Sequence, residues 1–312
     1  MKVIYRTPQN DVAAVFIATD GSTGRSIEFV ESTPTGNIRE KWVLILSSLY
    51  GCPVRCAFCD AGGGYSGPVP YEELLFQVRT LIGARFPGSK VDCGKFKVQF
   101  ARIGEPSFND DILKAIADIP RIFELKSYIP SLSTVAPAGR EHFFEQLLEL
   151  IFKEGLKDFQ LQFSIHSTDA EYRDRIIPFK KWGYREIAEY SQRFFKAIAP
   201  KKVTLNFALT EEAPFSIPAL MQYFSPEIFV LKFTPVNPTL KARENGIGSF
   251  LGQEGFHELM GDLQKAGYDT IVSIGDLEEN KIGSNCGQYI RSIEKKQTGG
   301  SAYTYPLIEC GD

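Results

Sequence analysis

The chain has 312 residues, 35 Lys and Arg against 38 Asp and Glu, and a formal net charge of −3. With 43% hydrophobic and 23% charged residues it is an ordinary globular sequence, which excludes global disorder and an indiscriminately basic nucleic-acid surface, although not a local basic patch. Its longest purely apolar run, residues 12–18, is far short of the roughly 18 residues a membrane span requires, and the N-terminal MKVIYRTPQND lacks the apolar centre of a signal peptide. A cytoplasmic protein with no membrane partner is the expectation.

Residues 1–40 read as short strands, VIYR, VAAVFIA and RSIEFVE, separated by the turn-rich DGSTGR and STPTGN. This is a small β-rich extension, too short for a core of its own. Over residues 41–292, read as the core domain, apolar β-rich runs alternate with amphipathic stretches. The strand candidates are 42–47, 98–103, 128–133, 159–165, 203–209 and 228–233. Helical patterns cover 71–85, 110–118, 140–154, 184–197 and 216–224. One more helix, 253–266, and one more strand, 269–274, precede a polar tail over 293–312. Continuous apolar strands separated by helices indicate parallel β/α units buried on both faces, so the expected class is α/β, a partial (β/α)6 TIM-like barrel. Such folds carry their chemistry on the loops after the strands' C-terminal ends. Cys52, Gly104-Glu105-Pro106, Ser133, Ser164-Ile165-His166, Asn206 and Asn237 all fall at or near those ends.

Of six cysteines, Cys52, Cys56 and Cys59 lie within eight residues, in LYGCPVRCAFCDAGGG, while Cys93, Cys286 and Cys310 stand alone. In a chain without an export signal, a tight triplet suggests a metal or cluster site rather than disulfides. Three thiolates on one loop can ligate three irons of a cubane cluster and leave the fourth open. A structural zinc normally needs a fourth protein ligand, and no Cys or His follows within about thirty residues. Three incidental thiols, or a zinc knuckle completed from afar, are the alternatives.

The C-x3-C-x-aromatic-C form, with Phe58 before the last cysteine, resembles the signature of the radical S-adenosyl-L-methionine (SAM) superfamily. That resemblance implies a 4Fe-4S cluster on Cys52, Cys56 and Cys59, SAM chelating the open iron, and reductive cleavage to a 5′-deoxyadenosyl radical. Five further segments resemble, in order, those of the adenine-C2 RNA methyltransferases within that superfamily. They are GEPSFN at 104–109, SLST at 131–134, FSIHSTDAEYRDRIIPFKKWGY from 163, TPVNP at 234–238 and SNCGQYI at 284–290. The resemblance implies Gly104, Glu105, Ser133, Ser164, Ile165, His166 and Asn237 as SAM contacts and Cys286 as a methyl-carrying cysteine. It implies a glutamate base on a strand ahead of the cluster, for which Glu28 is the nearest match and Glu31 the competitor. Methylation of an adenine carbon in rRNA or tRNA, an electron donor such as flavodoxin or ferredoxin, and a monomeric enzyme follow from the same likeness.

Plainer readings exist for each residue. His166 fits a core histidine, GEP a helix-opening turn, Ser133 and Ser164 helix caps, Asn237 a turn and Cys286 an inert thiol. The basic groups Lys180, Lys181 and Arg185, Lys201 and Lys202, and Arg291, Lys295 and Lys296 fit solvated faces or phosphate contacts. The chain also departs from the family. Its second cysteine, seven residues before the first cluster ligand, is Ile45 here, so resolution of a covalent enzyme–RNA adduct would fall to Cys93, Cys310 or another group. The helical accessory domain is replaced by the short β-rich extension. These departures favour an alternative: a related radical SAM enzyme acting on a small molecule or peptide.

Overall fold

Runs rich in Val, Ile, Leu and Phe pair as strands, and runs with a 3.6-residue period coil into helices. The computed structural model describes residues 1–273, 277–284, 289–290 and 306–311. In chain order the strands are β1 (Lys2–Arg6), β2 (Ala13–Thr19), β3 (Ser26–Ser32), β4 (Lys41–Leu46), β5 (Lys90–Val91), β6 (Lys95–Phe100), β7 (Glu124–Leu125), β8 (Ile129–Thr134), β9 (Gln160–Ser164), β10 (Val203–Ala208), β11 (Phe229–Thr234), β12 (Asp269–Val272) and β13 (Ile308–Glu309). The helices are α1 (Tyr71–Arg85), α2 (Asp111–Ile122), α3 (Glu141–Glu154), α4 (Ala170–Ile176), α5 (Tyr184–Ile198), α6 (Ile217–Tyr223), α7 (Leu240–Glu244), α8 (Phe256–Lys265) and α9 (Leu277–Ile282).

The chain divides into two compact units, one of Met1–Pro53, Asp60–Ser131 and Gly275–Asp312, the other of Val54–Cys59 and Leu132–Ile274. In the first, β1, β2 and β3 form an antiparallel meander that continues into β4 through the pairs Val30–Ile45, Glu31–Leu44 and Ser32–Val43. β4 then pairs in parallel with β6, from Lys41–Lys95 to Leu46–Phe100, and β13 joins the free edge of β1. Ala13, Val15, Ile17, Val30 and Ile103 pack with Ile282, Tyr289 and Ile290, and Ile45 lies against this group.

The second unit holds the parallel run β9, β10, β11, β12, each strand bonded to the next. α5, α6 and α8 make the three crossovers. α3 turns Phe143, Phe144, Leu147, Leu148 and Ile151 inward and stops at Gly155, whose φ of 63° is the left-handed cap conformation that glycine adopts freely. Phe144 packs within 4.5 Å of Trp182 and 5.4 Å of Tyr190, ring centre to ring centre, an arrangement that stabilises beyond simple burial.

Two elements differ from expectation for physical reasons. The helical pattern in the sequence stops at residue 118, yet α2 runs to Ile122 with Pro120 inside it. The carbonyl of Ile116, which loses its helical donor to the proline, accepts instead from the Tyr128 hydroxyl at 3.0 Å. The HSTDAEYRDRI stretch, read as a motif-bearing segment, contains helix α4, capped by the Asp169 carboxylate accepting from Tyr172 N at 2.7 Å.

Candidate active site

The loop after β4 folds back on the glycine run that follows the cysteines. Gly51 has φ of +73°, and a Cβ there would come within 2.5 Å of the Gly63 and Gly64 main chain, so only glycine fits. Cys52 N donates to Gly63 O at 3.2 Å, and Gly63 N donates to Cys52 O at 2.7 Å. In the same unit Gly104 has φ of +103°, and a Cβ there would strike Leu49 at 2.5 Å. Glu105 is buried, and its Oε1 accepts from the Ser107 amide at 3.1 Å and hydroxyl at 2.8 Å, which caps the short 3-10 turn Pro106–Phe108. Asn109 Nδ2 donates to Ser48 O and Val69 O, both at 2.8 Å, tying the GEP turn to the segment before the cysteines and to the one after them. A cleft of ≈ 250 Å³ opens in this unit, lined by Arg25, Ser26, Tyr50, Gly51, Ile103 and Ile290 among others. Within it the Arg25 guanidinium lies 4.3 Å from the Tyr50 ring centre.

In the second unit Cys59 N donates to Cys56 O at 3.1 Å, closing a turn. Three bonds hold that turn. Ala57 N donates to Ile176 O at the end of α4 (2.8 Å), Thr239 Oγ1 to Phe58 O (2.8 Å) and Asn245 Nδ2 to Ala57 O (2.6 Å). Phe58 meets the His166 ring edge to face, with centres 5.1 Å apart. His166 has φ of 63°, rare for a residue with a Cβ, and its Nδ1 accepts from Ala208 N at 3.0 Å, so the neutral ring carries its proton on Nε2. Burial, and then the charge of Arg173, lower its pKa to about 3, so it is neutral at physiological pH. The amides of Ile165 and His166 donate to Asn206 O at 2.9 and 3.2 Å. Ser133 Oγ accepts from Gln162 Nε2 at 3.1 Å, and Asn237 O accepts from Thr239 N at 2.7 Å.

Arg173 is the residue that sequence reading quoted without giving it a role. It is 3% exposed, and its guanidinium donates to the carbonyls of Trp182 (2.7 Å), Val135 (3.3 Å) and Ser164 (3.4 Å). Among the described residues no carboxylate forms an ion pair with it, its Nε has no partner although buried, and the buried Asn206 Oδ1 is likewise unpartnered. Burial lowers its pKa to about 10, so it stays a cation. On Arg173 the charges of Tyr184, Asp174 and Cys56, in that order, act against the effect of burial.

These features fit an anionic iron–sulfur cluster and SAM. The donor set is three thiols of intermediate exposure within eight residues of one loop, with a glycine cradle beside Cys52. Among the described residues no three His, Cys, Asp or Glu side chains converge closely enough for a single metal ion. A cubane spreads its thiolates over three irons, so they need not meet at one point.

Glu28 and Glu31 are both fully buried and both engaged. Glu31 accepts from Arg85 Nε through both oxygens at 2.9 Å, from Trp42 Nε1 at 3.0 Å and from Gln9 Nε2 at 3.1 Å. Glu28 pairs with Arg102 and also accepts from the amides of Tyr289 and Ile290. Arg102, an arginine in an otherwise apolar strand end, is a further functional candidate that pattern alone left unmarked. Cys286 lies outside the described residues. Cys93 is buried, and desolvation raises its thiol pKa, which makes it a poor nucleophile; Cys310 is partly exposed beside β13. Of the basic groups, Lys181, Lys201 and Lys202 are ion-paired with Asp174, Asp158 and Asp269, and Arg291, Lys295 and Lys296 lie outside the described residues.

No family model matches the chain. Curated relatives do. The "Probable dual-specificity RNA methyltransferase RlmN" of Prochlorococcus marinus is 30% identical over 204 residues, 64% of this chain and 53% of the relative, so there the chain spans about half of its length. A protein of the same description from Synechococcus is 28% identical over 292 residues, 88% of this chain and 79% of the relative. This chain is thus a divergent RlmN-like protein. The "Dual-specificity RNA methyltransferase RlmN" of Wolinella succinogenes, 25% identical, covers 80% of the chain and 70% of itself, so the likeness to the RlmN group extends well beyond the cysteine loop. Among solved structures, a radical SAM methyltransferase from Sphaerobacter thermophilus superposes with a TM-score of 0.64 over 87% of this chain and 76% of its own, at 17% identity, and so shares the mixed α/β fold. Enzymes of this group imply SAM and an iron–sulfur cluster. No helix among the described residues is long and apolar enough to cross a membrane.

Proposed function

We propose that this enzyme transfers a methyl-derived carbon to an sp2 carbon of adenine in RNA, with Cys286 as the carrier. The observation that carries the proposal is the cleft of the first unit. It is bordered at once by Gly51, Ala61 and Gly63 around the cysteine loop, by Ile103 just before the GEP turn, and by Ile290, four residues after Cys286. In it Arg25, stacked on the buried Tyr50 ring, supplies a cation for a phosphate. The RlmN relatives act on RNA by their names, which supports the same substrate class.

Cys52, Cys56 and Cys59 would hold the cluster. Gly104, Glu105, Ser133, Ser164, Ile165, His166 and Asn237 would bind SAM. When bound, the two groups supply the methyl group and a hydrogen-abstracting radical. The chain's part is to hold, to exclude water and to move protons. Glu105 offers a carboxylate to an ammonium group, and neutral His166 can donate from Nε2 without adding charge. Cys286 must be a thiolate to accept a methyl group. Arg173 opposes the negative charge at Cys56. A small electron-transfer protein such as flavodoxin or ferredoxin would reduce the cluster of a monomeric enzyme whose core is residues 41–292.

The test is anaerobic reconstitution followed by mass spectrometry. The expected result is a methyl group on Cys286 in the isolated protein and methyladenosine in RNA after reaction with SAM and reductant. An unmodified Cys286 together with unchanged RNA would refute the proposal.

A further inference from the structure

The pair Glu28–Arg102 is the most completely saturated polar group in the first unit. Its side chains are 0% and 1% exposed. Arg102 Nε donates to Glu28 Oε1 at 3.0 Å, and Arg102 Nη2 donates to the same oxygen. Glu28 Oε2 accepts from Tyr289 N at 2.9 Å and from Ile290 N at 3.2 Å. A carboxylate has about four lone-pair sites, and these four bonds use them all. Two of the three remaining guanidinium N–H groups go to main-chain carbonyls: one on Nη1 to Ser284 O at 2.9 Å and one on Nη2 to Gly283 O at 2.8 Å. The Tyr289 hydroxyl then donates to Ile282 O at 2.7 Å.

Every main-chain partner lies on one of two short stretches, 282–284 and 289–290, with Cys286 in the four residues between them. One ion pair therefore grips both ends of the segment that bears Cys286. Gly283 and Ser284 lie just beyond the end of α9, and a buried carbonyl or amide must be paired somewhere. Burying an ion pair is costly, and an apolar pair of similar size would serve the core equally well. What an apolar pair could not do is bond two carbonyls at one end of a segment and two amides at the other.

We propose that Glu28 and Arg102 are positioning residues that clamp the two ends of the Cys286 segment, and that Glu28 acts through this clamp rather than as a general base. A base must reach the proton it takes, and every acceptor site on Glu28 is already filled by the chain itself. A segment bonded at both ends has less conformational entropy to lose at each turnover. The inference rests on the proposed carrier role of Cys286 for its purpose, but the clamp can be tested without the reaction.

The test uses the full-length, folded protein and the variants Glu28→Gln, Arg102→Lys and the double Glu28→Gln/Arg102→Met, the last of which leaves no buried unpaired charge. Alkylation of Cys286 by N-ethylmaleimide is followed by peptide mass spectrometry, with Cys310 as the internal reference. The clamp predicts a Cys286 rate, relative to Cys310, at least about tenfold faster in the double variant, an intermediate rate in Arg102→Lys, and faster hydrogen exchange confined to 282–290. It also predicts that the fraction of Cys286 carrying a methyl group falls in step with the loosening, while 5′-deoxyadenosine formation is retained. A double variant that melts cooperatively yet keeps wild-type Cys286 reactivity and exchange overturns the proposal. So does a Glu28→Gln variant with normal reactivity and normal Cys286 methylation that accumulates covalent RNA adduct, the behaviour of a lost base. Absence of methyl on Cys286 in the wild type would refute the carrier reading while leaving the reactivity comparison valid.

Discussion

The chain buries two guanidinium groups in opposite ways. Around Arg102 all three nitrogens donate, a carboxylate balances the charge and that carboxylate's other oxygen is filled by two amides. Around Arg173, among the described residues, the donors meet only main-chain carbonyls, Nε is left without a partner, no carboxylate forms an ion pair with the charge, and Asn206 Oδ1 in the same unit is also unsatisfied. Buried polar groups are nearly always paired, so the first arrangement is finished within the chain, and the second has capacity left for something the chain does not supply. Saturation marks scaffolding; deficit marks a ligand site.

Experiments can break this contrast. The largest effect is expected at the cysteines: Cys52→Ala, Cys56→Ala and Cys59→Ala should each abolish SAM cleavage, and the triple variant should lose the roughly four irons a cluster carries, read by iron and sulfide analysis. Full iron content in the triple variant would remove the reason for reading the deficit at Arg173 as a cluster's counter-charge. Next is Arg102→Met, which strands the buried Glu28 and should cost about 3–5 kcal/mol in denaturant titration of the apo-protein. A loss well under 1 kcal/mol would mean that the saturated pair is not scaffolding.

Glu105→Ala should weaken SAM binding by about 1.5–3 kcal/mol, measured by calorimetry, with iron content unchanged. It should also cost about 1 kcal/mol of stability, because Glu105 caps the 3-10 turn. A stability loss without an affinity loss would reduce GEP to its turn. Arg173→Met should lower the midpoint potential of the reconstituted cluster by something on the order of tens of millivolts, because removing a nearby positive charge disfavours the reduced state. An electron paramagnetic resonance titration with no shift would mean that Arg173 is not opposing cluster charge.

The smallest effect is a pH dependence. His166 has a folded pKa near 3, below its unfolded value near 6.5, so the unfolded chain binds the extra proton between those limits. Stability from this residue is complete above pH 6.5 and is lost as pH falls toward 3, with a slope of at most about 1.4 kcal/mol per pH unit. His166→Asn, which tolerates the left-handed backbone, should flatten that limb of the stability profile. At the position of the family's missing cysteine, Ile45 packs in the same apolar group as Tyr289 and Ile290. Ile45→Cys should therefore reduce any covalent RNA adduct that the wild type accumulates, visible as a gel shift.

The strands and most helices were legible because periodicity is local; the core strands lie within three residues of the expected positions at their starts. The last turn of α2 was not legible, since the Tyr128 hydroxyl that takes the Ile116 carbonyl freed by Pro120 comes from outside the helix. The cysteine triplet and the order of the motifs were readable for a related reason: three ligands on one loop keep their spacing whatever surrounds them. The roles of single charged residues were not. Glu28 could be read as a base from its place on a strand, but its partner Arg102 is 74 positions away and its amide donors are 261 and 262 away. Arg173 carries the same side chain as Arg102, and nothing in RDRI announces that its guanidinium, among the described residues, donates only to main-chain carbonyls. Whether a carboxylate has a lone pair to spare, or a histidine is held neutral, depends on which distant groups the fold brings within hydrogen-bond distance and on how much water it removes, and both are properties of the packed chain.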